Sequence, residues 1–158
     1  MRRSPEISAG LLAFRRDSGL EVLLAHPGGP FWAKKDDGAW SIPKGLAEPG
    51  ADLLATAQRE FAEETSLAAS GPFLALTAVR QKSGKLVHAW AFEANLDLAS
   101  FASNMFEIEW PRRSGRNRPF PESDRVAYFA LPAAMTKILD YQRPLLHELT
   151  SRLGSSLP

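Results

Sequence analysis

Three glutamates on little more than one helical turn constrain this chain more than any other feature: Glu60, Glu63 and Glu64. The run Asp52 to Thr65 lacks Gly and Pro, is rich in Ala, Leu, Gln and Glu, and follows the loop Glu48-Pro49-Gly50. It therefore reads as a helix of roughly four turns with Asp52 as its N-cap. At about 100° per residue, Leu53, Leu54, Ala57 and Phe61 fall on one side and the three carboxylates on a neighbouring strip. Like charges at that spacing repel, more strongly once desolvated, so positive charge is needed among them. A divalent cation such as Mg²⁺, which prefers hard carboxylate oxygens and completes its shell with water and phosphate, is one answer. A solvated acidic face balanced by Arg59 and lysines is the other.

Around this helix runs a longer pattern. Gly45, Arg59, Glu60, Phe61, Glu63, Glu64 and Leu67 match G-x5-E-x7-R-E-U-x-E-E-x-G-U, where U is bulky and apolar, so the stretch 45–67 resembles the signature of the Nudix hydrolases. Two positions depart: Ala51 stands where that signature has its first glutamate, and Ser66 where it has glycine. Ser66 implies either modest strain, on the order of 1 kcal/mol at most, or a differently shaped helix exit. Ala51 removes a carboxylate from the loop edge and would weaken any second or third metal position; Asp52 either compensates or serves only as the cap.

The resemblance implies an α/β fold, a Nudix-type α/β/α sandwich with a mixed sheet. It implies metal-dependent cleavage of a phosphoanhydride bond in a nucleoside diphosphate linked to a further group. Carried onto this chain, Glu60 and Glu64, with Glu63 and the Gly45 carbonyl, hold Mg²⁺ or Mn²⁺, and one of the glutamates takes the proton of the attacking water. Arg59, one turn before Glu63, orients that carboxylate. The form W-x-x-P-K-G at Trp40 to Gly45 is that of the branch cleaving diadenosine and related polyphosphates. The expected substrate is thus a dinucleoside polyphosphate or nucleoside triphosphate, with nucleotide sugars and capped RNA open. A nucleotide-binding module with weak or lost catalysis is the rival, motivated by Ala51 and Ser66.

The rest of the chain sets bounds. With 158 residues and 44% hydrophobic content it is long enough for one cored domain, 1–158, with a frayed end at about 154–158. A net charge of +1 gives no overall case for DNA or membrane attraction, and the absence of cysteine excludes disulfide and thiolate chemistry. Near the N-terminus an apolar stretch of about eight residues closes at Arg15-Arg16, too short for a signal peptide, and a cytoplasmic location is expected. Oligomeric state is not readable.

In chain order, Ile7 to Arg15 and Glu21 to His26 read as an antiparallel pair about Asp17-Ser18-Gly19. A Pro- and Gly-rich loop follows, carrying Phe31 and Trp32; it either folds over a substrate base or is a surface loop with Trp32 pinned to the body. Trp40 to Ile42 is expected as a short strand delivering Lys44 to the acidic cleft. Phe73 to Gln81 and Leu86 to Ala94 form a hairpin, in which Trp90 lines a base pocket or packs under a helix. Asn104 to Trp110 precedes an irregular segment, Pro111 to Pro119, whose Arg112, Arg113, Arg116 and Arg118 either grip phosphate or are solvated. Glu107 and Glu109 are candidates for an extra carboxylate. Arg125 to Ala130 reads as a strand, Leu131 to Leu139 and Gln142 to Arg152 as helices, and the order of elements argues a mixed sheet.

Overall fold

The computed structural model describes residues 6–154. Strands β1 (Ile7–Arg15) and β2 (Glu21–Pro27) are almost wholly buried, because each is apolar on both faces and sits inside a sheet covered on both sides. The six-stranded sheet also takes in β3 (Lys44–Leu46), β4 (Leu74–Arg80), β5 (Leu86–Glu93) and β8 (Ser123–Ala130), in the order β4-β5-β1-β2-β8 with β3 on β1. β1 and β5 run parallel along their length and the other pairs are antiparallel, so the sheet is mixed. Between β4 and β5 the hairpin turns at Lys82 to Lys85, and Gly84, at φ 95°, supplies the left-handed position.

Side-chain alternation separates two cores. Ala9, Leu11, Ala13 and Leu23 face α1 (Leu53–Thr65) and meet its Ala57 and Phe61. Leu12, Phe14, Val22 and Leu24 face the other way, where α2 (Leu131–Lys137) and α3 (Arg143–Leu153) supply Ala134, Leu145, Leu146 and Leu149. The result is the expected α/β/α sandwich, with α1 on one face and α2 and α3 on the other. Among the described residues no helix is long and apolar enough to cross a membrane. Of the frayed end expected at about 154–158, residues 155–158 lie outside the described residues.

The split between β1 and β2 makes the site. They pair only at Phe14↔Val22 and Arg15↔Glu21, then diverge, and the segment 40–44 wedges into the gap. Leu11 donates its N–H to the Pro43 carbonyl at 3.2 Å, and Ala25 and Ser41 exchange backbone hydrogen bonds at 2.8 and 3.0 Å. Trp40 to Ile42 is therefore not a continuous strand: Trp40 and Ser41 form isolated bridges to Ile138 and Ala25, and the strand begins two residues later at Lys44. Pro43, which has no N–H to give, breaks the ladder between them. A Cβ at position 10 would lie 2.5 Å from the Pro43 carbonyl oxygen and 2.7 Å from Lys44 Cβ, so Gly10 permits the wedge to approach β1.

Residues 117–119 also differ from expectation. They lie in β7 (Asn117–Pro121), paired with β6 (Met105–Glu109) as a separate two-stranded sheet, so only the turn between these strands is irregular. Pro119 and Pro121 are tolerated because β7 is an edge strand.

Candidate active site

Helix α1 is set by its ends. The Asp52 carboxylate accepts the Ala55 N–H at 3.0 Å, and at the exit Ser66 adopts the left-handed conformation, φ 60°. Ser66 returns its N–H to Ala62 at 2.8 Å, and its hydroxyl donates to the Ala102 carbonyl at 2.7 Å, which offsets the strain a glycine would avoid. Asn104 donates its N–H to the Glu63 carbonyl at 2.8 Å, so the base of the β6–β7 hairpin is tied to the last turn of α1.

On that helix the three glutamates have different surroundings. The Glu64 carboxylate is half-buried and accepts the Lys44 N–H at 3.1 Å; loss of water, with the nearby Glu60 and Glu122 adding to it, pushes its pKa up to about 8. Glu60 is largely covered and lies against Gly45, where any Cβ would collide with its carboxylate; this is the local reason for glycine at 45. Glu63 is half exposed. Arg59 bridges Glu60 at 3.3 Å and Glu63 at 3.8 Å, so it orients two carboxylates and sits closer to Glu60.

Lys44 extends into the same cleft, where burial pulls its pKa down against the opposing attraction of Glu64, Glu122 and Glu60. The fourth acidic group is Glu122, between β7 and β8, whose pKa is raised by burial and by Glu60. Sequence reasoning missed it, since a lone glutamate in Pro-Glu-Ser-Asp has no periodicity to mark it. Its place is fixed by its own backbone, which donates to Asn104 at 2.9 Å and accepts from Gly28 at 3.0 Å.

Glu107 and Glu109 stand elsewhere. They alternate with Phe106 and Ile108, which turn toward Gly29, so the two carboxylates occupy the exposed face of β6, and Glu109 accepts the Arg113 N–H at 3.0 Å. Trp90 packs with Leu11 and Phe61 in the core beneath α1, as a sheet residue under a helix does, and does not line the cleft. Arg112 stacks over Phe31 at 5.1 Å, and Phe31 meets Trp110 edge-on at 5.5 Å, so the hairpin tip is docked on the loop that carries Trp32. Arg113, Arg116 and Arg118 are exposed. Ala51 lines a separate groove with Leu46, Glu48 and Leu53 and is not among the residues lining this cleft.

The loop itself is braced at its second half. His26 is fully buried, with Nδ1 at 2.9 Å from the Asp124 carboxylate and Nε2 at 2.6 Å from the Lys35 carbonyl. Asp36 accepts from Trp40 Nε1 at 2.8 Å and from the Lys137 ammonium, which holds its pKa below the usual carboxylate range.

Among the described residues no three Asp, Glu, His or Cys side chains already converge at metal-holding distance. The donor chemistry still fits a hard divalent ion: Glu60 disfavours the charge of both Glu64 and Glu122 in a partly dry cleft, and positive charge there would relieve those two.

Comparison with known proteins shows the family and the fold. The family model described as NUDIX domain matches residues 5–110. No curated protein matches the sequence. Among solved structures, the chain resembles the NUDIX domain of Shewanella oneidensis NrtR, complexed with ADP ribose, at TM-score 0.66 and 18% identity over 96% of this chain and 90% of that one. A C. elegans Ap4A hydrolase matches at TM-score 0.61 and 22% identity over 92% and 97%. A mutT/nudix family protein from Listeria innocua matches at TM-score 0.60 and 15% identity over 96% and 98%.

Proposed function

We propose that this chain, which belongs to the NUDIX family, hydrolyses a phosphoanhydride bond of a dinucleoside polyphosphate or nucleoside triphosphate with Mg²⁺ or Mn²⁺. One observation carries the reading: a half-buried Glu64 on the Lys44 N–H, with Glu60, Glu122 and the Lys44 side chain gathered in the same cleft. The likeness to an Ap4A hydrolase and the form Trp40 to Gly45 favour the dinucleoside polyphosphate within that class.

In this reading Glu60, Glu64 and Glu122, with the Gly45 carbonyl, would hold the ion. When bound, a divalent ion neutralises phosphate charge and lowers the pKa of the attacking water. The water oxygen forms a bond to phosphorus, the bridging P–O bond breaks, and a glutamate takes the proton. Glu63 suits that last role, because it is open to solvent and held by Arg59 at 3.8 Å. Lys44 supplies a fixed cation for a phosphate oxygen, and the hairpin arginines attract phosphates further from the cleft.

The test is a panel of dinucleoside polyphosphates, nucleoside triphosphates, nucleotide sugars and capped RNA, assayed with and without Mg²⁺. Metal-dependent cleavage of the first two classes is expected. Tight nucleotide binding without turnover of any member would establish the binding module instead, the reading that Ala51 favours.

A further inference from the structure

Behind the carboxylates the cleft continues into a cavity of about 170 Å³. Lys44, Glu64 and Glu122 line its mouth, and Ala25, Trp32, Ala39, Ile42 and Leu139 make an apolar wall. Pockets for drug-sized ligands run to roughly 300–1,000 Å³, so this one has room for a single flat heterocycle. A phosphate alone would have no use for the apolar wall.

Two serines face this space and differ in one respect. The Ser41 hydroxyl is engaged, donating to the Ile42 carbonyl at 2.8 Å and accepting from Gln142 Nε2 at 2.9 Å. Ser123 is only 4% exposed, yet its hydroxyl has no hydrogen-bond partner among the described residues; only its N–H is used, donating to Ser103 Oγ at 3.0 Å. Among the described residues no buried side-chain polar atom is left without a partner, so this hydroxyl keeps access to the cavity, where water or a ligand can bond it. The opposite wall is built in advance: Lys35 stands over the Trp32 ring at 5.1 Å, while the buried His26 fixes the Lys35 carbonyl.

We propose that this cavity is the nucleobase pocket, with Trp32 as its aromatic wall and the Ser123 hydroxyl as the group that hydrogen-bonds the base edge. The assignment rests on the reading of the protein as one that acts on nucleotides. Ring contact supplies most of the affinity. The lone hydroxyl, able to donate or accept, adds a smaller preference among bases. Since Ser123 follows Glu122 directly, one short segment supplies both an acid of the cleft and a contact to the base.

Equilibrium binding to the metal-free protein separates the pocket from the chemistry. The probes are adenosine and guanosine 5′-monophosphates against ribose 5-phosphate, for wild type, Trp32→Ala, Trp32→Phe and Ser123→Ala. Wild type should bind the nucleotides at least tenfold more tightly than the base-free sugar phosphate. Trp32→Ala should erase that difference, Trp32→Phe should keep most of it, and Ser123→Ala should weaken nucleotide binding three- to tenfold and spare ribose 5-phosphate. Should Trp32→Ala not fold, Trp32→Phe and Ser123→Ala decide. Equal binding of both probes by wild type, or equal losses for both in a folded variant, would overturn the pocket. Base-selective binding without turnover of any substrate on the panel would leave the pocket standing and remove the hydrolytic reading.

Discussion

Helix α1 and the β6–β7 hairpin are joined through the Asn104 to Glu63 hydrogen bond, but they are held in opposite ways. α1 is capped by the Asp52 side chain at its start and by the Ser66 backbone N–H at its end, and it sinks Ala57 and Phe61 into a core, so its glutamates are presented on a fixed surface. The hairpin is a two-stranded sheet outside the main one, resting on Gly29 and on the Phe31–Trp110–Arg112 stack. Acidic groups are thus prepositioned in a partly buried cleft, while the arginines project into water, where each contributes less and is screened by salt. Glu122 lies at the end of the hairpin in sequence but belongs to the fixed part, because Gly28 and Asn104 clamp its backbone.

The largest effect expected from this contrast is that of Glu64→Gln, which should lower turnover at least a hundredfold while leaving the protein folded, since the Lys44 N–H keeps an oxygen to bond. Near-normal turnover in a folded variant would remove Glu64 from the site. Glu122→Gln should cost about tenfold or more, whereas Glu107→Gln and Glu109→Gln should stay within about twofold, measured as kcat/KM on the preferred substrate. A loss at Glu107 or Glu109 matching that at Glu122 would mean that the hairpin reaches the cleft in solution.

The hairpin should show its weaker hold as a change in KM. Replacing Arg112, Arg113, Arg116 and Arg118 by Ser is expected to raise KM several-fold for substrates with four or more phosphates, with little change in kcat or for ADP-ribose-like substrates. Added salt should shrink the difference, and equal effects on long and short substrates would reduce the arginines to a solvated charge run.

A smaller effect concerns pH. Burial raises the Glu64 pKa to about 8 in the folded chain, against 4.5 when free, so the contribution of Glu64 to the stability of the metal-free fold is fully present below 4.5 and is lost as pH rises through 8. A bound divalent ion favours the ionised carboxylate, so the rise in Tm on adding Mg²⁺ should grow from pH 6 to pH 9, by roughly 2 to 4 °C for each kcal/mol gained. Thermal melts of Glu64→Gln should lack this growth.

How much could be read from the sequence follows the same division. α1 and its cap were legible to the residue because their signals are local, Asp52 before the apolar face and no glycine or proline inside; Ser66 left two exits open, and the structure takes the left-handed one. The alternating small and bulky residues of β5 were visible too, although Trp90 proved to serve the core. What stayed hidden depends on contacts distant in sequence. The wedge of 40–44 arises from the divergence of β1 and β2, and Glu122 joins the cleft because β8 pairs with β2. The outward placement of Glu107 and Glu109 is decided by which face of β6 meets Gly29, and alternation alone leaves that choice open.

The central claim is that the acidic cleft of Glu60, Glu64 and Glu122 is the metal site and that the hairpin carboxylates are not part of it. Paramagnetic broadening of backbone amide signals by substoichiometric Mn²⁺ tests this directly, with no substrate present. Amides at 44–45, 60–64 and 122–123 should broaden first, and those at 107–116 should persist. Early broadening at Glu107 and Glu109, with the α1 signals sharp, would contradict the account.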